Sequence, residues 1–257
     1  MTYNFPNVSL LITHYNRSES LERLLSSFQK LGIIFGKIVV SDDCSAQKHL
    51  DYIKQLHDKF QFELVSTPEN KGLGNNINKG QDLIKTPYTL YVQEDFVPKE
   101  LFSKVFSIAL GFMEKDHNLD IVRFYAYFKY PKLIPFGQGF SEMKFSSWNF
   151  NHLKFYLYSD HPHLKRSNFR EKFGRYAENC HPNKTEFSMC LNFLKYNASG
   201  LFYEEFTTVF DQKNSSHEPS TIGRAAWRTQ NNVPVKSLRS FYLVFRYLKN
   251  TIELALK

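Results

Sequence analysis

Four short apolar runs that each stop at a polar cluster constrain this chain more than any other feature. VSLLIT (8–13) runs into Tyr15 and Asn16, and KIVVSDD (37–43) ends on Asp42 and Asp43. FELVST (62–67) leads to the Asn/Gly-rich stretch NKGLGNNINKG (70–80), and YTLYVQ (88–93) ends on Glu94 and Asp95. The stretches between them read as helices. Leu21, Leu24, Leu25, Phe28 and Leu31 recur at three- and four-residue steps with Gly32 as a stop, and LDYIKQLHDKF (50–60) follows the same logic. Strand and helix in alternation predict βαβ units and a parallel sheet. Ligands of such sheets bind beyond the carboxyl ends of the strands, so four polar clusters are expected to converge on one edge.

Beyond Phe102 the pattern loosens. A helix is expected over 102–113, a strand over 120–128, a helix over 185–195 and a short strand over 198–205, while 129–180 reads as irregular, aromatic and basic. At 257 residues with 42% hydrophobic content the chain is expected to fold as one large domain or one and a half. Its three cysteines show no CxxC spacing, which fits a reducing compartment. No basic segment precedes the first apolar run, so no signal peptide is expected, and no stretch of membrane-spanning length is apolar throughout.

The formal net charge of +8 is uneven. Residues 213–257 carry eight Lys/Arg against two acids, leaving 1–212 at only +2. That argues against a nucleic-acid surface spread over the protein and for a local anionic partner. Leu238, Phe241, Tyr242, Phe245, Leu248, Ile252 and Leu256 form one apolar stripe on a helix, with Arg239, Arg246, Lys249 and Lys257 gathered along one edge. An anionic membrane surface and a packing interface, within the chain or in a homodimer, are both open for it. Glu94 and Asp95 pose a separate problem. Side by side after a strand they repel, and a divalent metal is one candidate for what compensates.

VSLLITHYNR, SDDCS, ENKGLGNNINKG and YVQEDF, in that order and spacing, resemble the family 2 glycosyltransferases of the GT-A fold. The resemblance is good over 7–98 and thinner over 170–205. It implies a Rossmann-like, mostly parallel sheet flanked by helices, with a C-terminal acceptor region and a terminal helix. Residues 1–98 would form the nucleotide-sugar-binding half, 99–212 the acceptor and catalytic half, and 213–257 a basic extension. The turn Thr13, Tyr15 and Asn16 would hold the nucleotide, and Asp42 and especially Asp43 would read its base. Asn70, Gly72, Asn76, Asn78 and Gly80 would bring the backbone and a helix N-terminus to the diphosphate. Asp95 aligns with the metal-binding acid, with Glu94 beside it and Gln93 in place of the first acid. His217 would supply a late metal or phosphate ligand.

Glu186, opening a helix at KTEFSMC, takes the place of the base of inverting members, with Glu178 as its competitor. Cys44 replaces the usual Gly of the Asp-Asp turn, which suggests a turn without positive φ. The function implied is metal-assisted (Mn²⁺ or Mg²⁺), inverting, hexosyltransferase-like transfer of a sugar from a UDP-linked donor to a glycan or lipid-linked acceptor, in polysaccharide biosynthesis. The expected place is the cytoplasm, peripheral on the inner face of a membrane. Two alternatives stand beside it: a sugar-1-phosphate nucleotidyltransferase, whose glycine-rich loop after strand one is missing here, and an inactive relative that binds nucleotide or glycan. Trp148, Tyr156, Tyr158, Asp160, His161 and His163 match no family element. Their aromatic and polar groups suit a sugar, although packing is the ordinary use of any one of them.

Overall fold

The computed structural model describes residues 2–145, 149–214, 217–218 and 233–257, with side chains of the final helix described from 242 onward. Its centre is a nine-stranded sheet. Strands β1 (Tyr3–His14), β2 (Ile33–Asp42), β3 (Glu63–Val65) and β4 (Tyr88–Gln93) lie parallel in the order β3-β2-β1-β4. Val8, Leu10, Leu11 and Ile12 are fully buried because helices cover both faces, and for that reason the run does not alternate with polar residues. Leu10 and Ile12 pack with helices α1 (Ser18–Lys30), α2 (Gln47–Phe60) and, after the short strand β5 (Phe96–Pro98), α4 (Phe102–Lys115). Leu11 faces the other way, toward α3 (Gly72–Asp82) and, further along the chain, α6 (Pro182–Lys195).

The second half completes the same sheet. β6 (Leu119–Arg123) and β10 (Ser199–Tyr203) are parallel to each other, and the hairpin β7 (Leu133–Gly137) and β8 (Phe140–Met143) forms the far edge. Between β4 and β6 lies β9 (His163–Arg166), antiparallel to both. Residues 129–180 are therefore not irregular throughout: they hold β7, β8, β9 and the short helix α5 (Phe169–Phe173). The strand expected over 120–128 stops at Arg123. A small second sheet pairs β11 (Phe210–Gln212) with β5.

Most of the expected loop 70–80 is helix α3. Its Asn and Gly residues lack helix propensity, and tertiary contacts supply what propensity does not. A Cβ on Gly80 would stand 2.5 Å from Leu11 Cδ1 and 3.0 Å from Ser41 Cβ, and one on Gly74 would stand 2.0 Å from the Ala177 carbonyl oxygen. Both glycines thus serve close packing within the protein.

The final helix α7 (Val233–Leu256) packs on α6 and on the 3₁₀ turn His152–Tyr156. Its inward residues are Tyr247, Asn250 and the half-buried Leu254. Tyr247 caps the buried amine of Lys154, whose Nζ donates to the phenol oxygen at 3.2 Å. The apolar stripe, for which packing and a membrane surface were both open, points away from the rest of the protein: Tyr242, Phe245, Leu248, Ile252 and Leu256 are exposed. Leu238, Phe241 and Arg239 lie among side chains outside the described set.

Candidate active site

The carboxyl ends of β1, β2 and β4 meet as expected, joined by one hydrogen-bond network. His14, the last residue of β1, is buried, and its Nδ1 lies 2.8 Å from Asp42 Oδ1. The backbone N–H of Arg17 donates to its Nε2 at 3.1 Å, which places the ring proton on Nδ1, toward Asp42. Asp42 also accepts from Ser66 Oγ at 2.8 Å and from the Ser45 amide at 3.1 Å. Burial would raise this carboxyl, but the hydrogen bonds from His14, Ser45 and Ser66 outweigh it and hold it below the usual range. Asp42 is therefore committed to binding the strand ends together.

Asn16 takes a left-handed conformation (φ 54°) and ties the same turns. Its amide donates to Ser45 Oγ at 2.8 Å and its Oδ1 accepts from the Ala46 amide at 2.7 Å. Cys44 has φ 61°, so the Asp-Asp turn does use positive φ, contrary to what the absence of Gly suggested. Its thiol donates to the Pro68 carbonyl at 3.2 Å. Thr13 is buried with its hydroxyl 3.0 Å from that of Tyr91, and Tyr15 is half-buried beside it in the turn.

Asp43 receives the start of α3. Its two oxygens accept from the amides of Lys71 at 2.9 Å and Gly72 at 2.8 Å. Gly72 has φ 79°, a conformation that disfavours a side chain, and its amide also lies 3.2 Å from Asn70 Oδ1. Asn76 accepts from Ser41 Oγ at 2.7 Å and donates to the His14 carbonyl at 3.2 Å. Asn78 holds the loop after α5: it donates to the Tyr176 carbonyl at 3.0 Å and to Glu178 Oε1 at 2.7 Å. Asn76 and Asn78 thus brace the protein around the site.

What compensates Glu94 and Asp95 is Arg17, which no local pattern singled out. Its Nη1 lies 3.3 Å from Glu94 Oε1 and 3.4 Å from Asp95 Oδ2. Nη2 reaches Asn214 Oδ1 at 2.5 Å and the Glu218 carbonyl at 3.3 Å. Burial, with the Asp95 charge adding to it, pushes Glu94 up to about 8. Asp95 Oδ2 accepts from Gln212 Nε2 at 2.8 Å, whereas its buried Oδ1 makes no hydrogen bond with any of the described residues. That oxygen suits a hard cation, which takes carboxylate oxygens and keeps waters for its other positions. No group of three or more His, Cys, Asp or Glu is arranged to hold a metal among the described residues. His217 is exposed. Its neighbour Glu218 is buried and caps α1, accepting from the amides of Glu19 at 2.9 Å and Ser20 at 2.8 Å.

On the acceptor side, Glu186 lies in the first turns of α6 and its Oε1 accepts from the Asp160 amide at 3.2 Å. Burial raises Glu186, and burial together with the Glu186 charge raises Asp160. Tyr158 donates to Asp160 Oδ1 at 2.8 Å, Tyr158 and Tyr176 hydroxyls are 2.7 Å apart, and Lys165 Nζ donates to Tyr176 at 2.9 Å. Burial pushes Lys165 down to about 7, opposed by the Asp160 charge. Glu178 is different in kind. Hydrogen bonds from Asn75 and then Asn78 outweigh its partial burial and hold it below the ordinary value. Trp148 lies outside the described residues. His163 is buried and neutral, with Nδ1 facing the His161 carbonyl at 2.7 Å.

A mostly parallel sheet with polar clusters gathered at its carboxyl edge and a late antiparallel strand defines a GT-A-like α/β fold. The solved structure of TarS from S. aureus, residues 1–349, superposes with a TM-score of 0.58 at 15% identity, covering 79% of this chain and 59% of that one. A structure of GalNAc-T7 with UDP, GalNAc and Mn²⁺ gives 0.56 at 12% identity over 77% and 42%. The profile of glycosyl transferase family 2 matches residues 9–177, and the chain belongs to that family. A cholesterol galactosyltransferase of Borreliella burgdorferi is 26% identical over 137 residues, 50% of this chain and 37% of the relative. The chain thus spans well under two thirds of these proteins' own lengths.

Proposed function

We propose that the protein transfers a sugar from a UDP-linked donor to a glycan or lipid-linked acceptor, with inversion. The observation that carries this reading is Asp95: a buried carboxylate at the end of β4 with one oxygen unpartnered among the described residues, in a family 2 chain. A structure of TarS with UDP-GlcNAc (TM-score 0.57) and the UDP complex of GalNAc-T7 support the uridine donor. The relative named for galactosyl transfer to cholesterol supports an acceptor at a membrane, and so a cytoplasmic protein peripheral to one.

In this reading Asp95 holds Mn²⁺ or Mg²⁺ together with diphosphate oxygens, and the bound ion neutralises charge on the leaving nucleotide. Glu94, whose Oε1 lies 3.3 Å from Arg17 Nη1, flanks Asp95 at this edge. Arg17 swings from the acids toward the diphosphate when the donor enters. Thr13, Tyr15 and Asn16 line the nucleotide side, and Asp43 reads the base with lone pairs left over from capping α3. Glu186 takes the proton of the acceptor hydroxyl, a role suited by the burial that raises its pKa and makes it a stronger base than an exposed glutamate. Glu178, held as a carboxylate by two asparagines, fits a bracing role better.

A panel of nucleotide-sugars, followed for slow hydrolysis with and without Mn²⁺, tests the reading. Metal-dependent release of UDP from one donor is expected. Formation of a nucleotide-sugar from a sugar 1-phosphate would favour the nucleotidyltransferase instead. Absence of any turnover with intact UDP binding would favour an inactive relative.

A further inference from the structure

The outward face of α7 leaves a row of large apolar side chains in water. Val244, Phe245, Leu248, Ile252 and Leu256 are between 54% and 83% exposed. The row extends about 20 Å along the helix at 1.5 Å per residue. Exposed apolar runs of this extent mark interaction surfaces. It does not serve to fasten the helix, because Tyr247 and Leu254 on the opposite side do that. Phe150, 79% exposed, stands beside Tyr247 with ring centroids 5.8 Å apart, and Tyr196 at the end of α6 is 48% exposed, so the rim is aromatic too.

Charge decides the occupant. From Val233 to Lys257 there are five bases, Lys236, Arg239, Arg246, Lys249 and Lys257, against one acid, Glu253. Glu253 is already 3.6 Å from Lys249. A second copy docked by the same face in a closed dimer would set this basic helix against itself with no acid left to pair. A surface both apolar-accepting and anionic is needed, and a straight, single row on a convex helix fits a plane better than a groove. No helix among the described residues is long and apolar enough to cross a membrane, so the element would lie on it.

We propose that the outward face of α7 docks the protein on an anionic lipid bilayer, with Phe245, Leu248, Ile252 and Leu256 inserted at the acyl boundary. The proposal stands on this surface and does not depend on the transfer reaction. The test is co-sedimentation of the full chain with phosphatidylglycerol-containing vesicles and with pure phosphatidylcholine vesicles. Binding to the first, falling with salt, is expected, and far weaker binding to the second. Phe245→Ser with Ile252→Ser should weaken it on the order of 100-fold, from the apolar burial forgone. Lys249→Glu should weaken it about tenfold or more through the charge change near the surface. All three positions are exposed, so thermal melting of each variant should match the parent, which separates lost docking from lost folding. No vesicle binding by the parent, equal binding to neutral vesicles, or a parent dimer that the Phe245→Ser, Ile252→Ser variant splits would each overturn the proposal.

Discussion

The guanidinium of Arg17 lies 3.4 Å from the carboxylate of Asp95, and the same nitrogen lies 3.3 Å from Glu94. Two adjacent acids at the end of a buried strand are tolerated because the turn after β1 folds a cation onto them. The same guanidinium gathers Asn214 and the Glu218 carbonyl, adding to the bonds by which Gln212 holds Asp95 and the Glu218 carboxylate caps α1.

Replacing that cation should be costly. Arg17→Met leaves the buried Asp95 carboxylate and the neighbouring Glu94 without their partner, and loss of one member of a buried ion pair costs about 3–5 kcal/mol. Urea unfolding should register it, and Arg17→Met combined with Glu94→Gln should recover part of the loss. Equal stability of Arg17→Met and the parent would show that the contact does not carry the site.

Glu94 makes stability depend on pH with a definite sign. Its folded pKa, near 8, lies above the ordinary 4.5. The folded chain therefore holds a proton that the unfolded chain has released. The contribution is full below about 4.5 and is lost as pH rises through about 8. Lys165, pushed down to about 7, works the other way above that pH, so the parent curve alone mixes both. The difference in melting temperature between Glu94→Gln and the parent cancels Lys165. The variant's advantage should grow from acid to alkaline pH, and a difference constant across that range would refute the buried, protonated Glu94.

Two glycines in different surroundings separate packing from propensity. Gly74→Ala puts a Cβ 2.0 Å from the Ala177 carbonyl oxygen and must push the loop carrying Glu178, at a cost of about 1–3 kcal/mol. Gly111→Ala meets nothing within 4 Å on helix α4 and should stabilise by about 0.5–1 kcal/mol. Thermal melts of the two variants should move in opposite directions.

The two candidate bases should fail differently. Glu186→Gln is expected to lower transfer about 10²–10⁴-fold with donor binding retained. Glu178→Gln weakens bonds to Asn75 and Asn78 and should lower stability more than it alters the chemical step. A Glu178→Gln variant with normal stability and the larger loss of turnover would move the assignment to Glu178.

The parallel core could be read in the sequence because VSLLIT, KIVVSDD and YTLYVQ are buried on both faces, and burial of that kind leaves unbroken apolar runs. β9 could not. His163, Leu164, Lys165 and Arg166 look like a polar loop, and they form a strand because β4 and β6 pair with them from either side while Tyr176 takes up the Lys165 amine. The early start of helix α3 was hidden for a related reason: its asparagines spend their amides on Ser41, His14 and Tyr176, contacts that span 35 to 98 residues. The Arg17–Asp95 contact joins the ends of two neighbouring strands. Its partners were both visible in HYNR and QEDF, but nothing local said that the arginine would turn inward. On α7 the periodicity was visible and the side it faced was not, because Tyr247 and Lys154 anchor the opposite face.

The most direct test of the account is calorimetric titration of UDP into the protein and into Asp95→Asn, each with and without Mn²⁺. The account predicts Mn²⁺-dependent binding by the parent that is abolished in Asp95→Asn, while the variant melts as a folded protein. Equal Mn²⁺-dependent binding by both would contradict the central role given to Asp95.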